Sequence, residues 1–151
     1  MSNTQPNAYL RDAVMTASPE QLQLMLYDGA IRFASQGRDA IAQQDHEQAF
    51  EKLTRAQRIV LEMERGLRPE IAPELCQRMS ALYLFIYRKL VDGCVEHDAA
   101  PVDEALELLR FERETWSMLL GKIASESAQI TEGAGVAESS PDAAGSLSVE
   151  G

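Results

Sequence analysis

From Ser18 to about Leu120 the apolar residues recur at three- and four-residue spacings, and no convincing strand interrupts them. Ser18-Pro19-Glu20-Gln21 opens the first predicted helix. The serine is an N-cap, proline takes the first helical position, and Gln21 completes a capping box. No proline follows until well past Gln44, so this helix is expected to run from Pro19 to about Gln44. Gly29 and Gly37 weaken it slightly but allow a neighbour to approach closely. Asp45 caps a second helix, with Gln48 three residues on and a stripe of Ala49, Leu53, Ala56, Val60, Met63 and Leu67. Gly66, Pro69 and Pro73 end it. A third helix begins at Pro73-Glu74 and reaches about His97. Its centre, ALYLFIY at residues 81–87, is apolar throughout, but Leu75, Met79, Leu90, Val91 and Cys94 extend the helical spacing on both sides. Pro101 restarts the chain for a fourth helix, which carries one stripe of Leu106, Leu109, Trp116, Leu119 and Leu120 and a second of Leu108, Phe111 and Met118.

Four helices with short connections predict an all-α fold, an antiparallel four-helix bundle. Its expected domain spans residues 18–121. Before it, residues 1–17 form a polar, flexible arm with isolated apolar side chains at Tyr9, Leu10, Val14 and Met15. After it, residues 122–151 form an acidic tail of Ser, Gly and Ala with no aromatic residue. Such a composition buries too little surface to offset its ordering entropy, so the tail is expected to be disordered.

The pattern holds more apolar surface than one core requires. In the first helix Leu22, Leu24, Met25, Leu26 and Tyr27 are crowded together; residues 81–87 and the double stripe of the fourth helix repeat the excess. On a helical wheel Leu22, Met25, Gly29 and Phe33 form one stripe, read as core, and Leu24, Tyr27 and Ile31 another, read as a partner groove. Exposed apolar patches of this kind mark binding sites, and six methionines suit a groove that adapts to its ligand.

Composition narrows the class of partner. At 151 residues the chain supports one sizeable core. With 14 Lys and Arg against 24 Asp and Glu, a net charge of −10 and a pI near 4.6, it is a poor ligand for nucleic acid or anionic membrane. No apolar run is long enough for a membrane span, and the first residues lack the pattern of a secretory signal. A cytoplasmic protein with no stable membrane insertion is expected. Cys76 and Cys94 lie 18 residues apart on one predicted helix, roughly 27 Å, so they are expected as reduced, buried thiols.

No catalytic, cofactor or metal site is expected. A di-metal carboxylate bundle would need Glu-x-x-His pairs, but Gln43 precedes His46 and Cys94 precedes His97 at that spacing. Cys94-x-x-His97 with Asp98 falls short of the four ligands zinc usually takes. Both histidines fall at helix ends rather than mid-helix, away from the position of a phosphotransfer histidine. Neither a phosphate loop nor a nucleophile elbow is present. Glu62 with Glu64 and Glu112 with Glu114 point to different sides of their helices, as solvated faces do.

Several segments together resemble a known family. Ala8-Tyr9, followed by Val14-x-Thr16-Ala17-Ser18-Pro19-x-x-Leu22-x-x-Met25-Leu26-Tyr27-x-Gly29, is similar to the N-terminal signature of the flagellar export chaperone family FliS. Arg55-Ala56-Gln57-x-Ile59-Val60 and Leu82-Tyr83-x-x-Ile86-Tyr87-Arg88-Lys89-Leu90 resemble its second- and third-helix patterns, and Trp116 falls where a fourth-helix Trp is common. The resemblance covers roughly residues 6–120. It implies a small helical bundle that binds the C-terminal segment of flagellin, prevents premature polymerisation and presents it to a component of the flagellar export gate. The client, or the arm in its absence, would then cover the apolar surplus, with Tyr9, Val14, Leu24, Tyr27, Ile31, Leu108, Phe111 and Met118 as partner-binding residues. Two departures stand out: GLRPEIAP at 66–73 replaces the more usual acidic turn, and the tail is longer than the family's core. A regulatory or adaptor bundle for another amphipathic helix is the alternative reading.

Overall fold

In the computed structural model of the protein, residues 4–138 are described. Five helices follow one another: α1 (Thr4–Thr16), α2 (Pro19–Ala42), α3 (His46–Arg65), α4 (Pro73–Glu96) and α5 (Ala99–Glu138). The chain divides into two compact units, residues 1–115 and 116–151. The first holds α1 to α4 and the N-terminal part of α5, and the second begins within α5 at Trp116.

The boundaries follow the local chemistry of the sequence. At the start of α2, Ser18 Oγ accepts from the Gln21 amide at 3.1 Å and the Gln21 side chain accepts from the Ser18 amide at 3.0 Å. Asp45 caps α3 through the Gln48 amide at 3.2 Å. α4 ends at His97, whose φ of 54° is left-handed and directs its amide to the Gly93 carbonyl. α5 begins two residues earlier than Pro101 suggests. Asp98 accepts from the Ala100 amide, and a proline within the first turn forfeits no intrahelical hydrogen bond.

Side-chain pairs set the order of helices around the core. α3 packs against both α2 and α4. α5 closes the ring: it meets α2 through Arg38–Asp103 and Asp28–Arg113, and α4 through Lys89–Glu104 at 2.8 Å. Asp28 of α2 pairs with Arg113 of α5 while the later Arg38 pairs with the earlier Asp103, and Glu64 of α3 meets Ser80 of α4, so neighbours run antiparallel. The four-helix bundle read from the sequence is therefore present in α2 to α5, with α1 as an additional helix.

The core of α2 departs from the expected stripe. Its buried line is Tyr27, Ala30, Ala34, Gly37 and Ile41, with Gly29 and Ala40 alongside. Leu22, Met25 and Phe33 are only half-buried. Small residues bring α3 close; a Cβ on Gly37 would stand 2.5 Å from Leu53 Cγ. In α3, Ala49, Leu53, Ala56, Val60 and Met63 are buried as their spacing predicts. α4 contributes Tyr83, Ile86, Leu90 and Gly93, the last packed so tightly on Val102 of α5 that a side chain there would collide with it. Val102, Ala105, Leu106 and Leu109 complete the core.

The flanking segments hold more helix than composition predicts. Residues 4–16 of the arm form α1, and α5 continues past Gly121 to Glu138. Ala, Glu, Gln, Leu and Met are good helix formers, and a helix satisfies its own backbone without a packed face. The inability to bury surface, on which disorder was expected, concerns tertiary packing alone. Residues 139–151 of the expected tail lie outside the described residues.

Candidate functional site

The surplus side chains sort by helix face. On α4 the buried line Tyr83, Ile86, Leu90 leaves Leu84 and Phe85 facing solvent, and on α5 the line Leu106, Leu109 leaves Phe111 outside with Leu108 half-buried. Across the α4–α5 seam these residues meet. Phe85, Leu108 and Phe111, with Lys89, Glu104 and Glu107 along the edge, line an open groove of about 420 Å³. Phe85 is 43% and Phe111 66% exposed. Lys89 closes one edge by pairing with Glu104 and lies 5.4 Å from the Phe85 ring centre. The floor is aromatic and aliphatic, and the rim carries both signs of charge. An amphipathic helix laid in such a groove finds apolar contact below and ion-pairing partners beside it.

The other expected partner residues lie in different settings. Leu24 and Ile31 are half-buried on α2. Tyr9 and Val14 are on α1, with Tyr9 79% exposed. Met118 is exposed in the second unit. Tyr27 must be moved from groove to core. It is 2% exposed, and its hydroxyl lies 2.6 Å from that of Tyr83, to which Gln23 Nε2 also donates at 3.1 Å. Tyr27 shares its buried line with Ala30, Ala34 and Gly37, small residues that a stripe of bulky side chains does not mark.

Nor does the arm shield the surplus here. Tyr9, Leu10, Val14 and Met15 are all exposed on α1. A helical arm satisfies its backbone internally and gains nothing from pairing it along a groove.

Around the tyrosine pair the electrostatics are unusual for an otherwise apolar core. Burial raises the Tyr83 hydroxyl far above the ordinary phenol range, and the Tyr27 hydrogen bond and the Glu112 charge add to the shift. Burial also raises Tyr27, while its bond to Tyr83 works the other way. The Glu112 carboxyl is raised by burial as well. The hydrogen bonds among Gln23, Tyr27 and Tyr83 join α2 to α4, and Glu112 of α5 acts on both phenols through its charge.

One pairing was not foreseen from sequence. The two histidines, expected at separate helix ends, bring their rings to 4.0 Å between centres, His46 from the start of α3 and His97 from the end of α4. Antiparallel packing of α3 and α4 places those ends together, which spacing along the chain does not reveal. Among the described residues no group of three or more His, Cys, Asp or Glu could hold a metal ion, and no helix is long and apolar enough to cross a membrane. Cys76 and Cys94 are free thiols, both half-buried, and burial raises the pKa of Cys94.

Comparison with known proteins adds to this geometry. A family model described as flagellar protein FliS matches residues 1–123. The chain is 34% identical over 113 residues to the flagellar secretion chaperone FliS of Bacillus subtilis, covering 75% of this chain and 84% of that one. It is 32% identical over 114 residues to the protein of the same name from Salmonella typhimurium, covering 75% and 84%. A crystal structure described as a flagellar chaperone from bacteria superposes with a TM-score of 0.65 at 19% identity, over 78% of this chain and 98% of that one, a likeness of fold.

Proposed function

Since the chain belongs to the FliS family of flagellar proteins, we propose that it is a cytoplasmic, non-enzymatic export chaperone for the C-terminal segment of a flagellin. It would keep that segment from polymerising early and pass it to a component of the flagellar export gate. The observation that best supports this reading is the α4–α5 groove, where Phe85, Leu108 and Phe111 offer an apolar floor. Burying Phe85 and Phe111 beneath a client helix would contribute up to about 1.5–3 kcal/mol for each side chain. Leu24 and Ile31 on α2, Met118, and Tyr9 and Val14 on the exposed arm are assigned to the remainder of a client that wraps the bundle in more than one piece.

The test is calorimetric titration of the purified protein with a synthetic flagellin C-terminal peptide. Saturable binding with a negative heat-capacity change, the mark of apolar burial, is expected. Absence of binding, alongside tight binding of an unrelated amphipathic helix, would favour an adaptor bundle instead.

A further inference from the structure

The other seam of interest is between α2 and α3, where the half-buried ring of Phe33 is ringed by cations. Arg32 Cζ lies 4.9 Å from the ring centre, Arg55 Cζ 5.5 Å and Lys52 Nζ 5.9 Å. Arg32 and Arg55 are exposed and Lys52 is half-buried. Among the described residues only Arg55 of the three also pairs with a carboxylate, Glu51 at 3.1 Å. In a chain of net charge −10, three positive groups converging on one ring run against the prevailing sign. Their mutual repulsion opposes the arrangement, and a cation–ring contact at an exposed site returns little against it.

The ring order of the helices separates this seam from the apolar groove. α3 lies between α2 and α4, and α5 lies between α4 and α2. The α2–α3 and α4–α5 seams therefore face opposite ways, and both can be occupied at once. We infer that Phe33 with Arg32, Lys52 and Arg55 forms a second docking site, one that takes an acidic peptide segment of another protein carrying an apolar residue for the ring. Charge complementarity selects the acid, because guanidinium groups fork onto carboxylates. It also selects a peptide over a nucleic acid. Three cations stand over this ring among the described residues, and the long phosphate array of a polynucleotide would meet the net negative charge of the chain. The inference goes beyond the chaperone reading and does not depend on it.

The probe is a fluorescent peptide of alternating Glu and Leu, followed by anisotropy, with a Lys/Leu peptide and a single-stranded RNA of equal length as comparators. Saturable binding of the Glu/Leu peptide alone is expected, weakening with added salt. Amide shifts should centre on Phe33, Lys52 and Arg55. The double variant Arg32→Ser/Lys52→Ser should lose roughly tenfold or more in affinity, since hydrogen bonds to charged groups are worth about 1.5–3 kcal/mol. Arg32→Lys/Lys52→Arg should retain most of the affinity, and Phe111→Asp in the opposite groove should leave it unchanged. Circular dichroism establishes that each variant is folded, and the salt series and amide shifts of the unaltered protein stand whatever the variants do. No saturable binding, equal affinity in the Ser/Ser variant, shifts centred on the α4–α5 groove, or tighter binding of the RNA would each overturn the inference.

Discussion

Tyr27 of α2 and Tyr83 of α4 join their hydroxyls at 2.6 Å across the bundle, and Tyr83 also receives the Gln23 amide at 3.1 Å. Removing the Tyr83 hydroxyl leaves both Tyr27 and Gln23 without that partner. Removing the Tyr27 hydroxyl leaves Tyr83 still bonded to Gln23. Tyr83→Phe should cost about 1–3 kcal/mol, the usual range for stranding a buried polar group, and Tyr27→Phe less. Urea denaturation of the two variants measures the difference. Equal costs would show that the Gln23 contact contributes nothing.

The same pair predicts alkaline instability. Both phenols are raised above their ordinary value of 10.0, chiefly by burial. Between that value and the folded ones the native state keeps protons that the unfolded chain releases. Stability is therefore undiminished below about pH 10 and falls as pH rises above it. Thermal melts across that range should show the decline, and the double variant Tyr27→Phe/Tyr83→Phe should flatten it.

Glu112 predicts a slope of the same sign in acid. Burial raises its pKa, so at neutral pH the ionised carboxylate is less favourable in the fold than in the unfolded chain. The cost is fully present above the folded pKa and is lost as pH falls through it to below the unfolded value. Glu112→Gln should melt no more than a few degrees higher at neutral pH, with the advantage vanishing in acid. A constant advantage at every pH would mean that charge is not its cause.

Much of the bundle was legible because its signals are local. The Ser18 capping box, the Asp45 cap and the Pro73 start act within one turn, and the α3 stripe from Ala49 to Met63 has a single apolar face. The α2 core was not legible from bulk, since Ala30, Ala34 and Gly37 are buried for their smallness and only the presence of α3 makes that useful. Phe85, Leu108 and Phe111 were readable as surplus, but their meeting in one groove depends on how α4 and α5 pair. The contacts of His46 with His97, and of Lys52 and Arg55 with Phe33, lie between helices and carry no sequence period.

Close approach at Gly37 can be tested against an open position. A Cβ there would stand 2.5 Å from Leu53 Cγ and 2.6 Å from Cδ2, whereas at Gly121 nothing lies within 4 Å. Gly37→Ala should destabilise by roughly 1–3 kcal/mol, the range for overpacking a core. Gly121→Ala should stabilise its helix by about 0.5–1 kcal/mol, through the backbone entropy that glycine loses on folding. Chemical denaturation resolves the first, and helical content by circular dichroism the second. A neutral Gly37→Ala would mean that Leu53 can swing aside without loss.

The decisive comparison for the groove is between two neighbours on α5. Leu109 is fully buried and Phe111 is 66% exposed, two residues away on another face. An unpaired carboxylate at residue 109 would have no water and no partner, so Leu109→Asp should cost several kcal/mol and unfold much of the bundle. Phe111→Asp places its charge in solvent and should melt within a few degrees of the unaltered protein. If the groove receives the flagellin segment, Phe111→Asp should nonetheless lose binding, because an anionic residue would interrupt the apolar floor that Phe111 shares with Leu108 and Phe85. A fall of about 1.5–3 kcal/mol in binding free energy is expected from the lost burial alone. Paired melts and titrations separate fold from function. Unchanged peptide affinity in folded Phe111→Asp would remove the α4–α5 groove from the client site and leave Leu24 and Ile31 on α2 as the next surface to test.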